Sequence, residues 1–172
     1  MMPTFYTPIV IRLSRVCGFA EAFRAMRLPT GSQGDSQGDT LGAKDAVLAA
    51  KLIQAGDDHA KAMRGIVVYF EIDLQVGFLI EFETYRHGVE CLSTTSAMHG
   101  ELKALCGAAL AEQKQADLPR KCYTRSLLMS YQTLRRIYRA RRKHRHPDWR
   151  LFCQWIESLP YFQQLIWPEG NA

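Results

Sequence analysis

The sequence predicts an α+β fold built as one domain, and three observations carry that prediction. Residues 66–74, IVVYFEIDL, form a β-branched and aromatic run of strand length. Most other apolar residues recur at three- and four-residue spacing, the period of helix faces. The chain has 172 residues, 47% of them apolar and 23% charged, which suits one domain with a core that needs no staples.

In chain order, Tyr6–Leu13 is expected as a strand. The opening MMPTFYTPIVIRLSR lacks the basic segment and small-residue cleavage site of a signal peptide. Gly18–Arg27 is predicted as a helix with Phe19, Ala22, Phe23 and Met26 on one face, ended by Pro29. Residues 30–42 hold SQGD written twice, a repeat with no packing residue, so they read as a flexible loop or lid, or as plain disorder. Ala43–Ala55 is a helix with Val47, Leu48, Leu52 and Ile53 inward and Gly56 as its stop. The stretch DDHAKAMRG is expected as a helical turn capped by Asp57 or Asp58.

After the central strand, Gln75–Tyr85 admits strand or helix, with helix favoured. Ser96–Gln113 is expected to be helical, with Ser93 or Ser96 as its N-cap, and QADLPRK is a loop. Tyr123–Arg145 is predicted as one long helix with Leu127, Tyr131, Leu134, Ile137 and Tyr138 on a face. Asp148–Leu159 follows as a helix with Leu151, Phe152, Trp155 and Ile156 inward, bounded by Pro147 and Pro160.

Charge and cysteine content narrow the classes of function. The net charge is +5, yet residues 135–145 alone hold seven Lys or Arg and no acid; removing them leaves −2. Arg135, Arg139, Arg142 and His146 have the spacing of one helix face, which would bind phosphates, face solvent, or meet acids of a neighbouring subunit. No apolar run approaches a membrane span. Five widely spaced cysteines without a CxxC pair fit free thiols in a reducing compartment, so a cytoplasmic location is expected. No GxGxxG, P-loop or HExxH is present, and His87, Cys91 and His99 lack the paired spacing of a zinc site, so no metal is assigned.

The stretch RHGVECLSTTS resembles the RHRxxSxNExSxRY signature of flavin-dependent thymidylate synthases, the ThyX family. With Arg86 and His87 on its first two positions, Ser96 falls on its second serine without a gap. LRRIYRARRKHRHPDWR is similar to the family's later arginine-bearing helix, with HPDWR in place of an AQxEIR-like stretch. The chain also resembles a group of bacteriophage and prophage proteins distantly like ThyX, through MRLP, AGDDHAKAMR, EFETY, STTSAMH and the segment 134–160.

The resemblance implies a small, mostly antiparallel sheet packed with helices, and a homotetramer with sites between subunits. It implies FAD as cofactor, held by Arg86 and His87, with His59 near the flavin. The substrate would be a pyrimidine nucleotide, dUMP in the family, with Ser96 beside the base as the catalytic-site residue. Ser93 would assist, and Arg135, Arg139 and Arg142 would neutralise phosphate. The reaction would be reductive methylation to dTMP. Several positions depart from the pattern: Gly88 and Met98 stand where the family has arginine, Cys91 for the first serine, Ser93 and Thr94 for Asn-Glu, and His99 for Tyr. The contrasting expectation is a retained fold without catalysis, binding nucleic acid or a host protein through the basic block.

Overall fold

Alternation of apolar residues builds the centre of the molecule. The computed structural model describes residues 6–95 and 122–168. β2 (Val67–Gln75) buries Val68, Phe70, Ile72 and Leu74 and turns Val67, Tyr69, Glu71 and Asp73 to the opposite face. β1 (Val10–Cys17) pairs with it antiparallel on one side, and β4 (Cys122–Ser130) on the other. β3 (Val89–Thr94) closes the far edge against β4, giving an antiparallel sheet in the order β1-β2-β4-β3. The result is a single α+β domain.

Helices cover one face of this sheet. α1 (Phe19–Arg27), α2 (Ala43–Ala55), α3 (Val76–Phe82), α4 (Tyr131–Arg141) and α5 (Pro147–Glu157) are the α-helices among the described residues. Trp155 and Phe152 of α5 meet Phe70 of β2 at centroid distances of 4.6 and 6.2 Å. Tyr131, Leu134 and Ile137 of α4 are fully buried beside them. Among the described residues no helix packs on the other face, which is largely polar: Arg12 grips Asp73 with two bonds of 2.7 and 2.8 Å, and the Thr124 hydroxyl donates to the same carboxylate.

The boundaries of α1 and α2 follow the sequence expectations to within a residue, including the stop at Gly56, and α3 is the favoured helix but spans Val76–Phe82 rather than Gln75–Tyr85. Four expectations are corrected. The long helix over Tyr123–Arg145 is instead a strand and a shorter helix. Leu127 and Met129 alternate inward from β4, and the Ser130 hydroxyl then caps α4 by accepting from the Thr133 N–H at 3.2 Å. The first strand spans Val10–Cys17 rather than Tyr6–Leu13, because its pairing with β2 runs from Asp73 to Val67. Val47 and Leu151 are exposed; Asp45, Ala49 and Ile53 form the inner stripe of α2, and Trp149 joins that of α5. Ser93 lies within β3 and caps no helix. The expected helix over Ser96–Gln113 lies outside the described residues.

The doubled SQGD segment supplies helix caps. Asp35 accepts from the backbone N–H groups of Lys44 and Asp45 at the start of α2. Asp45 accepts in return from the N–H groups of Asp35 and Ser36, and from Arg27 Nε at 2.5 Å. Asp39, from the second copy, accepts from Arg15 and from the N–H of Gly18, the residue before α1.

Candidate functional site

The residues of the signature-like stretch sit on a turn between α3 and β3. Gly88 has φ +75°, a left-handed conformation that a side chain resists. A Cβ there would land on the Thr133 hydroxyl. That hydroxyl also donates to the His87 carbonyl at 3.3 Å, so the turn is fastened to the first turn of α4. Arg86 and His87 are thereby presented at the surface, with Arg86 Nε donating to the Glu83 carbonyl at 3.3 Å.

Beside this turn lies a cleft of ≈ 380 Å³, walled by Arg64, His87, Glu90, Gln132, Thr133 and Arg136 with Gly88, Val67, Leu128 and Ser130. It forms where β2 begins and β4 hands over to α4. A recess of ≈ 50 Å³ shares His87, Thr133 and Arg136 with it and adds Thr84, Tyr85 and Arg86. Arg64 is aimed by a relay: its Nε donates to Gln132 Oε1 at 2.5 Å, and the Gln132 amide donates to the Asp57 carbonyl at 3.2 Å. Even without His87, two guanidiniums against one carboxylate leave the cleft positive. Such a donor set holds anionic ligands.

The structure brings two of the expected site residues, Arg86 and His87, to this cleft and its recess. Arg135 is corrected. It is 2% exposed, ion-paired with Asp57, and donates to the Ile53 carbonyl at 3.2 Å, where a cation suits the C-terminal end of α2. Asp57 therefore serves Arg135 and caps no turn. Burial lowers the affinity of Arg135 for its proton, and Asp57 opposes that shift. The expected row of cations on one face is broken as well: α4 ends at Arg141, and Arg142 lies 4.5 Å from the Trp167 ring centroid. Arg139 and Arg142 are exposed and do not line the cleft. His59 is exposed and away from it, and Ser93 is exposed on β3. Ser96 lies outside the described residues.

Arg64, Gln132, Thr133 and Arg136 are wall residues that sequence reasoning missed. The available signal was in SLLMSYQTLRR, where a strand alternation stops at a capping serine. Such a strand-to-helix junction projects the first helical side chains past the sheet end.

Other polar groups have structural partners. Arg141 Nε donates to the Tyr85 hydroxyl at 2.7 Å, and its guanidinium lies 4.8 Å from the Trp149 ring centroid. Burial pushes the Cys153 thiol up to about 12, which leaves it inert. Among the described residues no group of three or more His, Cys, Asp or Glu is placed to hold a metal, and no helix is long and apolar enough to cross a membrane.

Two solved structures share this architecture. Thymidylate synthase X (ThyX) from Helicobacter pylori with FAD and dUMP is similar with a TM-score of 0.68, at 15% identity over 94% of this chain and 98% of that one. A second structure of the flavin-dependent enzyme from the same organism, also with FAD and dUMP, gives 0.67, at 13% identity over 95% and 99%. No family model and no curated protein sequence matches the chain. At these identities the likeness establishes the fold.

Proposed function

We propose that this chain is a ThyX-like nucleotide-binding protein that takes a pyrimidine nucleotide and FAD and methylates the nucleotide reductively. The observation that carries the reading is a cationic cleft at the turn bearing Arg86 and His87, on a fold whose solved neighbours hold FAD and dUMP. The residues fit anionic ligands: two guanidiniums, an imidazole and an amide border one space. Its volume suits a mononucleotide-sized ligand. FAD is larger and needs further surface, which a second copy of the chain against the polar sheet face would provide. A homo-oligomer with shared sites, tetrameric by resemblance, belongs to this reading.

Bound FAD, once reduced by an external two-electron donor, would supply hydride to the nucleotide, and methylene-tetrahydrofolate would supply the carbon. The chain's own residues bind and orient. Arg86 and His87 hold flavin, with His59 contributing from its turn. Ser96 and Ser93 belong with the nucleotide, Ser96 at the base. Arg139 and Arg142 add long-range attraction for anions. Flavin absorbance after incubation with FAD and desalting tests this. A retained spectrum, lost in an Arg86→Ala/His87→Ala double variant, supports the reading. No retained flavin at low salt and high protein concentration rules out the reaction.

A second reading rests on one specific observation. Arg139, Arg142, Lys143 and Arg145 are exposed and make no ion pair among the described residues. Such a cluster binds nucleic-acid phosphates without reading sequence. Steeply salt-dependent binding of DNA or RNA, together with absent flavin, would favour a bacteriophage or prophage protein that keeps the fold and has lost catalysis.

A further inference from the structure

We propose that Arg64 and Arg136 form the phosphate clamp of the cleft, recognising a nucleoside monophosphate by its dianionic end; this rests on the nucleotide reading above. The argument begins with what is already occupied. The Ser130 hydroxyl caps α4, and the Thr133 hydroxyl fastens the turn through the His87 carbonyl. Gly88 cannot bear a side chain without displacing Thr133, so this backbone excludes an arginine at that signature position. The two hydroxyls and position 88 therefore do not supply the cationic clamp.

Two cations of the cleft wall make no ion pair among the described residues. Within those residues Arg64 engages only its Nε, on Gln132, which is 8% exposed and so a fixed support. Its two terminal nitrogens are left for a ligand, and a guanidinium fork matches two phosphate oxygens. Arg136 follows the buried Arg135 directly, yet it is exposed and makes no ion pair among the described residues. One cation thus comes from the turn before β2 and the other from α4, and both border one cleft. A dianion offsets both, while Glu90 on the same wall leaves the cleft with a modest net positive charge. A free nucleoside would leave the pair unused.

Isothermal titration of the full chain tests this with inorganic pyrophosphate, dUMP and deoxyuridine. Wild type is compared with Arg64→Ala, Arg136→Ala and Arg24→Ala, an exposed cation outside this cleft, with circular dichroism to verify folding. Either clamp variant is expected to weaken pyrophosphate and dUMP about tenfold or more, while Arg24→Ala leaves both unchanged and deoxyuridine binds all four chains alike. Equal pyrophosphate affinity in all four chains, or none in wild type, overturns the clamp; dUMP binding that survives both clamp variants leaves the nucleotide reading standing without it. Pyrophosphate binding lost in the variants, with no dUMP binding in wild type, keeps the clamp as an anion site and overturns the nucleotide reading.

Discussion

The SQGD loop and the turn at 84–88 are both short, polar and punctuated by glycine, and they use their polar groups in opposite ways. In the loop, donors and acceptors close on each other. Asp35 caps α2, Asp45 caps the loop in return, and Arg27 donates to Asp45. At the turn, one hydroxyl holds the backbone, and the cations beside it face a cleft and make no ion pair among the described residues. Sequence composition does not separate the two cases. What separates them is whether the charges are satisfied within the chain. A closed set stabilises the fold, and an open set attracts a ligand.

The largest expected effect breaks the closed set. Asp45 is fully buried, so Asp45→Ala strands Arg27 and two backbone N–H groups. Removing one partner of a buried pair costs about 3–5 kcal/mol. Thermal unfolding followed by circular dichroism should report a large drop in Tm, or no folded protein. Gly88→Ala comes next. Left-handed backbone and the collision with Thr133 together are expected to cost about 1–3 kcal/mol. Because the same turn carries His87, anion affinity should fall along with Tm.

A pH series gives a smaller effect that separates the regions differently. Burial pushes the Asp45 carboxyl up, but hydrogen bonds from Ser36, Arg27 and Asp35 outweigh it and leave it below the ordinary carboxylate range. Arg12 and Thr124 lower Asp73 against its own burial. Both groups hold their protons more weakly when folded. Their contribution to stability is therefore complete above the ordinary carboxylate pKa of about 4 and is lost as pH falls through the lower folded values. Tm should stay level in this respect from pH 7 to 5 and fall below about pH 4, with a shallower acid limb in Asp45→Asn.

Much of the fold was legible because its signals are local. The strand at 67–75 and the helices ending at Arg27 and Gly56 rest on period, β-branching and glycine stops within a few residues. The misreading of 122–130 has a definite cause. Leu127, Tyr131, Leu134 and Ile137 fit helical spacing, while Leu127 and Met129 equally fit a strand, and only the pairing of Leu127 with Phe70 decides. The edge strand β3 escaped because most of it is exposed and carries no inward alternation. Arg135 looked like one more surface cation because its partner Asp57 lies 78 residues earlier. Of the site, the turn was visible through its signature-like residues, whereas Arg64 and Arg136 meet only through the β2–β4 pairing, which no linear spacing reveals.

The distinction between closed and open polar sets is tested most directly by titrating dUMP into wild type, Arg136→Ala and Asp35→Ala, with Tm measured on the same samples. Loss of a helix cap costs about 1 kcal/mol. The expected result is that Asp35→Ala lowers Tm and binds dUMP as wild type does, while Arg136→Ala keeps its Tm and loses about tenfold or more in affinity. An Arg136→Ala chain that binds dUMP with undiminished affinity, or a wild type that does not bind it, would contradict the assignment of this cleft.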